Sequence, residues 1–80
     1  IGANAQAERD GALAIGSGAF SFDNNTVAIG TLAQAAATNS TAFGNRARAS
    51  GTASTSVGQD TLASGVGAVT LGVLAQATGD

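Results

Sequence analysis

The chain has 80 residues and a formal net charge of −2, and only 10% of its residues are charged. That length holds one domain at most, the weak charge argues against an electrostatic nucleic-acid binder, and no apolar run is long enough to span a bilayer. Cys, Pro, Met, Trp, Tyr and His are all absent, which excludes a disulfide scaffold and a thiolate metal site while leaving the compartment open.

Read in order, the chain repeats itself. Glycine stands at positions 2, 16, 30, 44, 58 and 72, always 14 residues apart. A bulky apolar residue precedes each one: Ile1, Ile15, Ile29, Phe43, Val57 and Leu71. Five complete units run 3–16, 17–30, 31–44, 45–58 and 59–72, followed by a partial sixth, 73–80. The chain opens and closes inside a unit, so residues 1–80 are expected to be a fragment of a longer array. A disordered linker of similar Gly, Ala, Ser and Thr content would not keep Val and Ile in register over the whole length.

Every unit has the same parts. A first alternating segment (Leu32-Ala33-Gln34-Ala35 in the third unit) leads to a turn-rich stretch such as Asp23-Asn24-Asn25 or Thr38-Asn39. A second alternating segment follows, for example Thr26-Val27-Ala28-Ile29, and the glycine closes the unit. Alternation with period two between Gly, Asn and Asp predicts short strands, two per unit and about five residues each. The many alanines favour helix by propensity, but the glycine column and the β-branched residues oppose it. Like residues stay aligned only if each unit stacks on the next in parallel. The expected fold is therefore all-β, a parallel β-roll or solenoid of 14-residue repeats.

The alternation also divides the side chains between two faces. In the second strands, Leu13, Ile15, Val27, Ile29, Phe43, Val57, Val69 and Leu71 are expected to point inward, against small first-strand residues such as Ala33, Ala35, Ala47 and Ala49, since large against small fills a narrow interior. The opposite second-strand face is all Ala, Ser and Thr, and is expected outside, where it lets a second copy approach. Stability from such a core is thin for 80 residues, so oligomerisation is expected. The outer first-strand face varies: Phe20 and Phe22, Leu32 and Gln34, Arg46 and Arg48. Among these, Phe20, Phe22, Arg46 and Arg48 are candidate partner-binding residues, because Arg and aromatics anchor interfaces. Packing against a neighbouring subunit, or plain solvation of the arginines, is the competing reading. The column Gly2, Gly16, Gly30, Gly44, Gly58 and Gly72 is read as structural, a turn with positive φ repeated in each unit. Gly16-Ser17-Gly18 lacks the lysine and the helix of a phosphate-cradling loop.

The motif residues carry a resemblance. Asn25-Thr26-Val27-Ala28-Ile29-Gly30 differs at one residue from the Asn-Ser-Val-Ala-Ile-Gly motif of trimeric autotransporter adhesin heads, the YadA-like family. Asn39-Ser40-Thr41-Ala42-Phe43-Gly44 and Gly11-Ala12-Leu13-Ala14-Ile15-Gly16 are looser copies, and 53–58 and 67–72 looser again. The resemblance covers essentially the whole chain. It implies a left-handed roll, a homotrimer of three rolls side by side, and adhesion to extracellular-matrix proteins, host-cell receptors or other bacteria. It also implies a place on the bacterial cell surface, anchored to the outer membrane through parts that 1–80 do not include, with the head itself not inserted in the membrane.

Other functions fit the residues less well. Without His or Cys, and with Glu8 and Asp10 beside Arg9 in a turn, the chain is expected not to be an enzyme. No cofactor is expected. Repeated calcium sites need Asp at fixed offsets, but Asp10 and Asp80 share their column with Asn24, Thr38, Thr52 and Val66, so no metal site is expected. Two alternatives to adhesion remain: a spacer segment of the adhesin, and an ice-binding solenoid, whose regular threonine column is missing here.

Overall fold

The computed structural model describes residues 4–77; Gly2 and Asp80 lie outside the described residues. Among the described residues, eleven strands alternate between two parallel sheets. The six-stranded sheet takes β1 (Gln6–Ala7), β3 (Phe20–Ser21), β5 (Gln34–Ala35), β7 (Arg48–Ala49), β9 (Leu62–Ala63) and β11 (Gln76–Ala77). The five-stranded sheet takes β2 (Leu13–Ile15), β4 (Val27–Ile29), β6 (Thr41–Phe43), β8 (Thr55–Val57) and β10 (Val69–Leu71). Each strand pairs with the one a full repeat further on, Val27 with Thr41 and Gln34 with Arg48, so the chain winds as a β-solenoid of about five turns. The strands are two or three residues long, shorter than the five expected, because turns take up the rest of each half-coil.

Those turns recur every seven residues. Asn4, Gly11, Gly18, Asn25, Leu32, Asn39, Arg46, Ala53, Asp60, Gly67 and Leu74 all have positive φ, between 58° and 74°. Most are the third residue of a four-residue turn closed by a backbone hydrogen bond, as in Ala33 N–H to the Gly30 carbonyl (3.1 Å) or Ser54 N–H to the Gly51 carbonyl (3.0 Å). A left-handed third residue is the mark of a type II turn. The same residues also tie coil to coil: the N–H of Arg46 donates to Thr31 (2.8 Å) and that of Asn39 to Asn24 (3.1 Å). The stack is hydrogen-bonded through its turns as well as through its strands.

The glycine column has a sharper cause. Gly30 has φ of 125°, and a Cβ built there would lie 2.5 Å from the carbonyl oxygen of Gly44. Gly16 and Gly44 are crowded in the same way by the glycine one coil on. Only a residue without a side chain lets the coils close to ladder distance at this corner.

The structure reverses the expected sidedness of the second strands. Ala14, Ala28, Ala42, Ser56 and Thr70 point inward with Thr26, Ser40, Ser54 and Ala68, and all are buried. They meet Ala19, Ser21, Ala33, Ala35, Ala47, Ala49, Thr61 and Ala63 of the other sheet, which face inward as expected. Among the described residues, no side chain larger than threonine is fully buried. The Cα trace is 10 Å through at its thinnest. Both sheets with their pleats fit inside that distance, so they lie closer than the ~10 Å of ordinary face-packed sheets. Val and Ile have no room between them and go outside. The small face expected to receive a second copy is thus the interior.

Hydroxyls inside the roll are mostly paired. Ser21 Oγ donates to the Leu13 carbonyl (2.6 Å), crossing between the sheets. At the far end Thr70 donates to Ser56 Oγ (3.0 Å), and Thr61 donates to the Gly58 carbonyl (3.0 Å). That commits the Thr61 proton, so Ser56 is the donor in its 2.5 Å bond to Thr61. Ser40 Oγ and Ser54 Oγ are buried with no partner among the described residues.

Two predictions follow from these positions. Gly30→Ala should lower the unfolding free energy by roughly 3 kcal/mol or more, combining backbone strain with a clash. Gly67→Ala should cost about 1–2 kcal/mol, the penalty of a left-handed backbone alone, since Ala53 already adopts φ of 60° in the same column. Chemical denaturation of the two variants checks the contrast. Ser40→Ala and Ser54→Ala should each raise stability by about 1 kcal/mol, by removing an unpaired hydroxyl from a column where Ala68 is also buried. Thermal unfolding reads that gain.

Candidate functional site

Two flat faces are available, and they differ in chemistry. The outer face of the five-stranded sheet consists of two ladders. One runs Leu13, Val27, Thr41, Thr55, Val69, and the other Ile15, Ile29, Phe43, Val57, Leu71. No charged residue belongs to either. Five strands at ladder spacing make the face about 20 Å tall. Phe43 is 50% exposed, Val69 57% and Leu71 69%; Val27, Ile29 and Val57 are half-buried by their neighbours in the ladder. Period-two alternation produces this face: with every second residue confined to Ala, Ser or Thr, the bulky ones share the opposite side. A contiguous apolar surface of this kind marks a contact with another molecule.

The outer face of the six-stranded sheet is mixed. Its central ladder reads Gln6, Phe20, Gln34, Arg48, Leu62, Gln76. Phe20 and Phe22 pack edge to face, with ring centroids 5.1 Å apart and planes at 67°. Phe22 remains exposed. This arrangement sets two rings side by side on the mixed face and is worth about 1 kcal/mol beyond its buried area.

The four candidate partner residues do not form one cluster. Phe20 and Arg48 share a ladder, with Gln34 between them, about 10 Å apart by strand spacing. Arg46 is not on a strand but in the left-handed turn column, where its guanidinium clasps Asp60 of the next coil through contacts of 2.8 and 3.0 Å. The pair is largely solvated and contributes at most about 1 kcal/mol. Arg48 is exposed and has no ion pair among the described residues. Arg46 therefore serves the stack, while Arg48 and the two phenylalanines face solvent.

Sequence reasoning missed the main surface, because it placed the same side chains inside. It also missed the second set of left-handed residues. Their signal was a seven-residue spacing of Asn4, Gly11, Gly18, Asn25, Asn39 and Gly67, hidden where Leu32, Arg46, Ala53, Asp60 and Leu74 fill the column.

Among the described residues no cavity opens into the roll, no three acidic, His or Cys residues gather as metal ligands, and no helix is long and apolar enough to cross a membrane. What the arrangement offers is area: one broad apolar face and one mixed face bearing an aromatic pair.

Compared with known proteins, the chain matches the YadA head domain repeat, in two copies, over residues 1–19, 24–47 and 49–72. No curated protein and no solved structure matches it.

Proposed function

The chain belongs to the YadA head family, and from that membership we propose that it is part of a non-enzymatic, homotrimeric adhesin head displayed on a bacterial surface. The observation that carries the reading is the apolar outer face of the five-stranded sheet. Each Val, Ile, Leu or Phe that passes from water into an interface contributes up to about 1.5–3 kcal/mol. The interior, built from alanine and hydroxyl residues, offers no comparable term. Three rolls set with this face toward a common axis bury it, and the mixed six-stranded face is left pointing outward. A left-handed winding of the roll goes with the same family reading.

On this account the outward face is the adhesive one, and its partner is a protein of the host matrix or cell surface, or another bacterium. The head works without a metal or cofactor, takes no nucleic acid, and stays outside the membrane to which the rest of the protein anchors it. Adhesion through a flat face depends on area and a few anchors. Phe20 and Phe22 are the best placed, being aromatic, exposed at one edge and mutually rigid. A spacer role, in which the face touches nothing, is the alternative that the experiment below separates.

Two measurements test the proposal. Ile29→Asp puts a charge at the centre of the apolar face and should shift gel-filtration elution of the chain from trimer to smaller species; unchanged elution would remove this face from the interface. In cells displaying the full protein, Phe20→Ala with Phe22→Ala should weaken attachment to matrix-coated surfaces at least tenfold, equivalent to about 1.4 kcal/mol or more. Full attachment by that double variant would instead support a spacer.

A further inference from the structure

Two tripeptides on the turns that lead into the five-stranded sheet fit a chemistry beyond adhesion. Asn24-Asn25-Thr26 and Asn39-Ser40-Thr41 both read Asn-X-Thr without proline at X, the pattern that asparagine glycosylation requires. Asn4, Asn25 and Asn45 lack the hydroxyl residue two places on. Both qualifying asparagines are exposed. Their side-chain amides make no hydrogen bond among the described residues; only their backbone groups are engaged, Asn39 N–H donating to the Asn24 carbonyl at 3.1 Å. The two acceptors therefore lie on adjacent coils, their amides open to solvent.

The threonines behave differently. Thr26 is fully buried, and its hydroxyl donates to the Asp23 carbonyl at 2.7 Å. A transferase that recognises the hydroxyl at this position cannot reach it once the turn has closed. Thr41 is half-buried on the apolar outer face.

We propose that Asn24 and Asn39 are glycosylation sites, modified on the unfolded chain by transfer from a sugar activated as a diphosphate ester. In the step, the amide nitrogen Nδ2 bonds to the anomeric carbon of the sugar. The bond from that carbon to the diphosphate oxygen breaks, the diphosphate leaves with the electron pair, and a base of the transferase takes the Nδ2 proton. The folded roll then tolerates the sugar, because both asparagines are exposed.

The test uses the full protein recovered from the surface of the cells that make it. Cleavage after arginine releases 10–46, which holds both acceptors; the segment that starts at Ala49 supplies fragment ions from 49–80, which contain no asparagine and serve as the internal control. The expected result is added sugar mass on 10–46, located at Asn24 or Asn39 by fragmentation, with 49–80 unchanged. Single hexose increments identify a nucleotide-linked donor; one preassembled block identifies a lipid-linked donor. Thr41→Val should abolish the mass on Asn39 while keeping the fold, since Val27 occupies the neighbouring place in its ladder. Thr26→Ser retains a hydroxyl and should retain the mass on Asn24. An unmodified 10–46 segment, or sugar persisting on Asn39 in Thr41→Val, would overturn the assignment. Folded chain returned to a lysate of the same cells with the sugar donor should gain nothing at Asn24. Uptake there equal to that of freshly unfolded chain would overturn the proposed order of events.

Discussion

The gap between the two sheets admits only the side chains of alanine, serine and threonine, and the rest of the molecule is arranged around that limit. Ala28, Ala42 and Ser56 fill it from one side and Ala35, Ala49 and Ala63 from the other. Because alternation sends every second residue the other way, the bulky members of β2, β4, β6, β8 and β10 must stand on the outside. A lone roll leaves Phe43 exposed and Ile29 half-buried on that outer face. The same constraint that makes the core small thus gathers the bulky apolar residues on one outer face.

The backbone makes the narrow gap possible. Strands of two or three residues alternate with four-residue turns, and a left-handed residue at every seventh position reverses the chain from one sheet to the other. Asn25 and Asn39 take that conformation readily; Leu32, Arg46 and Asp60 take it at a cost of roughly 1–2 kcal/mol each. Their N–H groups all donate to the preceding coil, and the Arg46–Asp60 pair adds a side-chain clasp at the same column. Cooperation along the stack offsets the strain, so each coil depends on its neighbours as in other solenoids. The corner glycines set the closest approach, since Gly16, Gly30 and Gly44 nearly touch backbone to backbone.

The architecture was legible in the sequence, and its polarity was not. A glycine every 14 residues with Val or Ile in phase dictated parallel stacking, and Ala33, Ala35, Ala47 and Ala49 were correctly set inside. The second strands were turned the wrong way because alternation defines two faces without saying which is buried. A one-residue change of phase exchanges them. Hydrophobicity favours Val27 and Ile29 inside, whereas the closeness of the sheets forbids it, and that closeness comes from turn geometry. The same gap in information hid the left-handed role of Leu32 and Arg46, residue types that give no hint of positive φ. Of the candidate partner residues, Phe20, Phe22 and Arg48 are exposed or partly exposed on one sheet face, while the Asp60 contact of Arg46 depends on the register of two coils.

Whether further copies of the chain cover the outward apolar face decides between a trimeric head and a lone roll. Sedimentation equilibrium over a concentration series measures this directly. Three chain masses, maintained on dilution, are predicted. A well-folded species of one chain mass across the series would contradict the account, because Ile29, Phe43 and their ladder neighbours would then face water with nothing to cover them.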